Sequence, residues 1–104
     1  MMDFSNADFE AACRKRLDSF FETYHDPAIQ RQTHEILRSL LADGRAKGGA
    51  PEGWAAGIVY AVANQDRQPC GMPGLLNSEF SQFFGVSMQT IRSRAARVAV
   101  RVSI

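Results

Sequence analysis

A chain of 104 residues, 45% apolar and 22% charged, has the size and balance of one self-folding domain and not of a disordered or fibrous chain. Its net charge of +1 gives the molecule no overall pull toward nucleic acid or an anionic membrane surface. The distribution is uneven: residues 87–104 carry Arg92, Arg94, Arg97 and Arg101 and no acid, a local +4, whereas residues 1–86 hold eight basic against eleven acidic residues, or −3.

The start, MMDFSNADFE, lacks a basic stretch followed by an apolar one, so no secretory signal is expected. Phe9, Cys13, Leu17, Phe20, Phe21 and Tyr24 recur every three or four positions, which predicts a first helix from about Ala7 to Tyr24 with one buried stripe. Ser5 or Asn6 supplies a capping oxygen, and His25-Asp26-Pro27 interrupts the helix. Cys13 falls on the buried stripe as a small hydrophobe, and Cys70 lies far from it without CxxC spacing, so a reduced, cytoplasmic protein is expected.

Ile29, Thr33, Ile36, Leu37, Leu40 and Leu41 repeat the pattern and predict a second helix ending at Gly44. The glycine-rich segment Gly44–Gly53 has no periodicity and reads as a mobile connection, with Pro51 suited to the first turn of a third helix. WAAGIVYAVA, Trp54–Ala63, is apolar on every side, which predicts a central helix wrapped by the others. At ten residues it is too short to span a bilayer, which takes about 20. Gly57 costs about 1 kcal/mol of helix propensity relative to Ala, a loss that close approach by a neighbouring helix would offset.

RQPCGMPG, Arg67–Gly74, reads as a loop. Asn77 or Ser78 then caps a short helix that turns Phe80, Phe83 and Phe84 inward; Gly85 breaks it, and Ser87 caps a fifth helix from Met88. The closing Val100–Ile104 alternates with period two, leaving a short strand as the alternative to a continued helix. The fold class expected is all-α.

Phe80 and Phe84, Ser81 between them, Gly85, Val86 and Ile91 occupy, in order, the positions that a helix-turn-helix over residues 77–98 requires. At about 100° per residue, Met88, Ile91, Ala95, Val98 and Val102 form the buried stripe of the last helix. Gln89, Ser93 and Ala96 project away from it. Thr90, Arg94, Arg97 and Arg101 follow one flank, and Arg92 borders the stripe on the other. Such a layout suits Gln89 and Ser93 for base edges and the arginines for phosphates. The same arginines also serve an ordinary solvated helix C-terminus.

GWAAGIVYAVA followed by EFSQFFGVSMQTIRSRAARV resembles one cyclin-like repeat of transcription factor IIB. It is similar, more closely, to a bacterial and archaeal domain of unknown function with a WAAGIVYA helix and an FGVS turn, over residues 29–98. The resemblance implies a five-helix cyclin-like bundle around an alanine-rich central helix. It also implies that Gln89, Thr90, Arg92, Ser93 and Arg97 inherit contacts to double-stranded DNA. The chain departs from factor IIB in having one repeat and no four-ligand zinc spacing.

His25 and His34 lack HExxH or HxxxH spacing and read as solvated surface residues, no GxSxG elbow is present, and Trp54 and Tyr60 read as core. A non-enzyme with no cofactor or metal is therefore expected. Two functions stay open: a DNA-binding or transcription-associated module, and a protein-interaction module of the cyclin-like type that binds a protein partner or, through Val100, Val102 and Ile104, a second copy of itself.

Overall fold

A computed structural model describes residues 6–42, 50–64 and 77–102, the side chains of Asn6 and of residues 99–102 excepted. Among these residues all regular structure is helical: α1 (Asn6–Thr23), α2 (Pro27–Ala42), α3 (Pro51–Ala63), α4 (Asn77–Phe84) and α5 (Met88–Val102). The expected loop Arg67–Gly74, the stop at Gly44, Cys70 and Ser5 lie outside the described residues. The backbone of α5 continues as helix through Val102, which settles the strand alternative for that stretch.

The interruption after α1 is also the start of α2. The Asp26 carboxylate accepts the Ile29 N–H at 3.2 Å, its carbonyl takes the Gln30 N–H at 2.9 Å, and Pro27 fills the first helical position. Asp26-Pro27 thus works as a cap followed by a preset φ, an arrangement that starts a helix as effectively as it ends one.

Helix α3 runs through the middle. From Pro51 to Tyr60 every residue except Glu52 is buried, and α5, α1 and α2 surround it, with α5 in the most extensive contact. Trp54, Ala55, Ala56, Ile58 and Val59 are wholly enclosed. From α1 come Phe9, Cys13, Leu17, Phe20 and Phe21, and from α2 Thr33, Leu37 and Leu40. Burial of each large apolar side chain contributes about 1.5–3 kcal/mol, so this shared core dominates the stability.

Two side chains buried in this core have their polar groups partnered locally. Thr33 donates its hydroxyl to the Gln30 carbonyl at 2.7 Å, and the Cys13 thiol approaches the Pro51 carbonyl at 3.7 Å. Burial, helped by the negative charge of Glu52, pushes that thiol up to about 12, which keeps it protonated and unreactive.

Within this core Phe20 is the hub of a group of aromatic rings. Its ring lies 4.9–5.5 Å from those of Phe21, Tyr24, Phe80, Phe83 and Phe84, mostly edge to face. Through it α1 holds α4 in place, so the first helix supports the C-terminal helix pair directly.

Helices α3 and α5 cross at close range. A Cβ placed on Gly57 would lie 2.5 Å from the Cβ of Arg94 and 3.1 Å from the backbone nitrogen of Ala95. A Cβ on Gly53, by contrast, would meet Thr90 at 3.5 Å, an ordinary contact. Gly57→Ala is therefore expected to destabilise by about 1–3 kcal/mol in urea denaturation, because overpacking outweighs the helix propensity gained. Gly53→Ala serves as control and leaves stability within about 1 kcal/mol of wild type. Equal stabilities for the two variants would show that α5 yields freely at this crossing.

Glu52 sits at the start of α3 with its carboxylate held below the usual range, chiefly by its own backbone N–H and then by Arg16, which donates at 3.2 Å. A depressed carboxylate adds stability above its unfolded pKa and loses it as pH falls through the folded one. Because the group is about a third exposed, solvent screens the effect. Acid titration of Glu52→Gln, followed by circular dichroism, should show a shallower loss of stability below about pH 4.5 than wild type.

Candidate nucleic-acid interface

The turn between α4 and α5 follows from three residues. Gly85 takes φ +69, a left-handed conformation that penalises any Cβ. The Ser81 carbonyl accepts N–H groups from Gly85 at 2.9 Å and Val86 at 3.2 Å, closing the end of α4. The Ser81 hydroxyl then donates to the Val86 carbonyl at 2.5 Å, so this small residue ties the turn as well as fitting beneath it. On the far side, the Ser87 hydroxyl oxygen accepts the Thr90 N–H at 3.2 Å and its carbonyl accepts the Ile91 N–H at 3.0 Å, as a capping serine should.

Those anchors set the rotation of α5. Ile91, Ala95 and Val98 are buried and Met88 is half-buried, together with Phe80 and Phe84 of α4. Gln89, Arg92, Ser93, Ala96 and Arg97 are exposed. None of the last five is covered by α1. The side chains of Arg101 and Val102, assigned respectively to the flank and the stripe, lie outside the described residues.

Thr90 and Arg94 sit deeper than Arg97 on the same flank, and both are half-buried. Thr90 faces Gly53 of α3 and shares a hydroxyl hydrogen bond with Ser87 at 3.2 Å. Arg94 lies along α3: its Cβ passes Gly57 and its guanidinium covers the indole of Trp54, with Cζ 5.1 Å from the ring centroid. Its Nε is enclosed without a hydrogen-bond partner. The Arg97 Cζ approaches the same ring at 6.0 Å. Arg94 is thus a packing residue with a charged end, Arg97 is exposed while its guanidinium reaches back to the same ring, and Arg92 is exposed with no such contact.

Among the described cations of α1 and α2, Arg14 and Arg16 are ion-paired, whereas Lys15, Arg31 and Arg38, like the arginines of α5, are not. Arg14 is paired with Glu10 and donates to the Nδ1 of His34, whose Nε2–H donates in turn to Asp18 at 3.0 Å. His34 is accordingly a half-buried link between α1 and α2 and not the solvated residue expected, while His25 is exposed. Arg16 holds Glu52. Arg92, Arg94 and Arg97 make no ion pair with a carboxylate among the described residues, and α5 contains no acid.

Trp54 is the residue of this region that sequence reasoning assigned to the core alone. It is fully buried, yet it is also the platform for two arginines of another helix. Gly57, three residues on, was the available signal, since it marks where a neighbouring backbone passes. Among the described residues no three His, Cys, Asp or Glu side chains are grouped to hold a metal ion, and no helix is long and apolar enough to cross a membrane. Comparison with protein-family models, curated proteins and solved structures finds no match to this chain.

Gly85 has nothing within 4 Å of a built Cβ, so its requirement is conformational and not steric. Gly85→Ala should cost about 1–2 kcal/mol and Gly85→Asn clearly less, measured by chemical denaturation, because Asn tolerates the left-handed region better. Equal costs for the two would point to a lost contact in place of backbone strain.

Proposed function

We propose that this chain is a small, non-enzymatic, DNA-binding or transcription-associated module of the cytoplasm, a cyclin-like bundle in which α4, the Gly85 turn and α5 act as a helix-turn-helix. One observation carries the reading: α5 turns Gln89, Ser93 and Ala96 to solvent between Arg92 and Arg97, and no carboxylate of the described residues neutralises those cations. A helix bearing short polar groups along its crest and a cation on each shoulder suits the major groove, where bases lie between two rows of phosphates. The resemblance to a cyclin-like repeat of factor IIB over Pro51 to Val98 favours the same reading.

The rival reading, a module that accepts a peptide or partner helix around its central helix, has less behind it. Helix α3 is enclosed from Pro51 to Tyr60 apart from Glu52, which leaves little of it for a guest. The apolar side chains Val100, Val102 and Ile104, on which a homodimer would depend, lie outside the described residues.

One reading helix covers few base pairs, so affinity for any single duplex should be modest and strongly salt-dependent. In fluorescence anisotropy with duplex DNA, three phosphate contacts give a log–log salt slope of about −3. Arg92→Gln should make that slope shallower by about 1 and weaken all duplexes alike, whereas Gln89→Ala should narrow the differences between sequences. Absence of binding at low salt, with the protein folded, would remove the proposal.

A further inference from the structure

Arg94 and Arg97 stand one turn apart on the same flank of α5 and converge on one indole. Their guanidinium carbons lie 5.1 and 6.0 Å from the Trp54 ring centroid. Two like charges at one ring repel each other, and the cation–π attraction offsets this only in part. Buried or half-buried charges in proteins are normally paired. Here neither guanidinium has a carboxylate among the described residues, and the nearest acid of α3, Glu52, is already engaged by Arg16. The Arg94 Nε–H is enclosed and makes no hydrogen bond, so packing against Gly57 and the ring, not polar partners, sets where this cation sits.

From this arrangement we infer that Arg94 and Arg97, held over Trp54, form a seat for one phosphate group. A guanidinium offers paired N–H donors in a plane, matched to two oxygens of a phosphate, and two such groups from one side suit a tetrahedral anion better than a planar carboxylate. Arg94 provides the fixed half, because its stem is clamped at the α3–α5 crossing. Arg97, exposed, provides the half that closes on the anion. The seat rests on the ring and guanidinium geometry alone. It deepens the duplex reading by naming where a backbone phosphate docks, and it serves equally for a free phosphate.

Trp54 is the single tryptophan of the chain, so its emission reports directly on the two arginines above it. The experiment titrates the folded full chain with inorganic phosphate, with sodium acetate and sodium chloride at matched ionic strength, and with a duplex, using wild type, Arg97→Gln and Arg94→Lys. Arg97→Gln alters an exposed side chain, and Arg94→Lys keeps stem and charge but loses the fork, so circular dichroism should show both folded. Inorganic phosphate is expected to change the emission saturably, with a dissociation constant on the order of millimolar. Each substitution should weaken this about tenfold.

If duplex DNA gives the same emission change, and Arg97→Gln lowers its salt slope by about 1, the phosphate comes from a nucleic-acid backbone. A response to inorganic phosphate without duplex binding keeps the seat for a free phosphate and removes the duplex reading. Duplex binding by anisotropy, with unchanged Trp54 emission and an unchanged slope in Arg97→Gln, overturns the seat while the reading stands. Acetate or chloride acting as strongly as phosphate, or a wild-type response in Arg97→Gln, also overturns it.

Discussion

The passage of α5 over Gly57 is the constraint on which the rest of the molecule depends. With no side chain on Gly57, the two backbones approach until the Arg94 Cβ occupies the space a Cβ there would need. That approach sets the depth of α5 on the central helix. Depth and rotation together decide what α5 buries and what it leaves outside. Ile91, Ala95 and Val98 close over the core, and Gln89, Arg92, Ser93, Ala96 and Arg97 are left in solvent. Were the helices held apart by even one methyl group, Thr90 and Arg94 would lift with the rest and the indole of Trp54 would lose its cover.

The all-α architecture was legible in the amino-acid order because its causes are local. The apolar stripes of the first two helices, the unbroken apolar run of the third and the capping Ser87 each act within a few residues, and each reappears in the structure. Gly57 was legible too, since a glycine inside an apolar helix needs a reason and close packing is the commonest one. What could not be read is which residue meets it. That Arg94 fills this role depends on the angle and register of two helices separated by a loop, and no periodicity encodes those. The same holds for His34, half-buried between Arg14 and Asp18 only because α1 and α2 pack side by side. Asp26-Pro27 shows a different limit: one dipeptide ends a helix and starts the next, and only the role of terminator was assigned to it.

Charge is handled differently at the two ends of the chain. On α1, Arg14 and Arg16 each find a carboxylate, and these pairs join α1 to itself and to α3. Pairs so exposed contribute little to stability, but they leave that face electrically mixed. Helix α5 has no acid to do the same, and no other described element brings one to Arg92, Arg94 or Arg97. A net charge near zero therefore conceals an uneven distribution, with the acid-free cationic segment on α5. At physiological ionic strength the field of such a patch reaches about 8 Å, enough to orient an approaching polyanion but not to attract one from afar.

Arg94 combines the helix packing with the unpaired charge. As a packing residue it is tied to Gly57, and a change at either position disturbs the other. As a cation it is fixed over an aromatic ring, its orientation settled by the core before any ligand arrives. Preorganisation of this kind lowers the entropy lost on binding, since the guanidinium need not be ordered by the anion it receives. It also means that the electrostatic character of α5 is not a coating that surface substitution could freely rewrite. The innermost of its described cations stands at the helix crossing itself, with its Cβ against Gly57 and its guanidinium over Trp54.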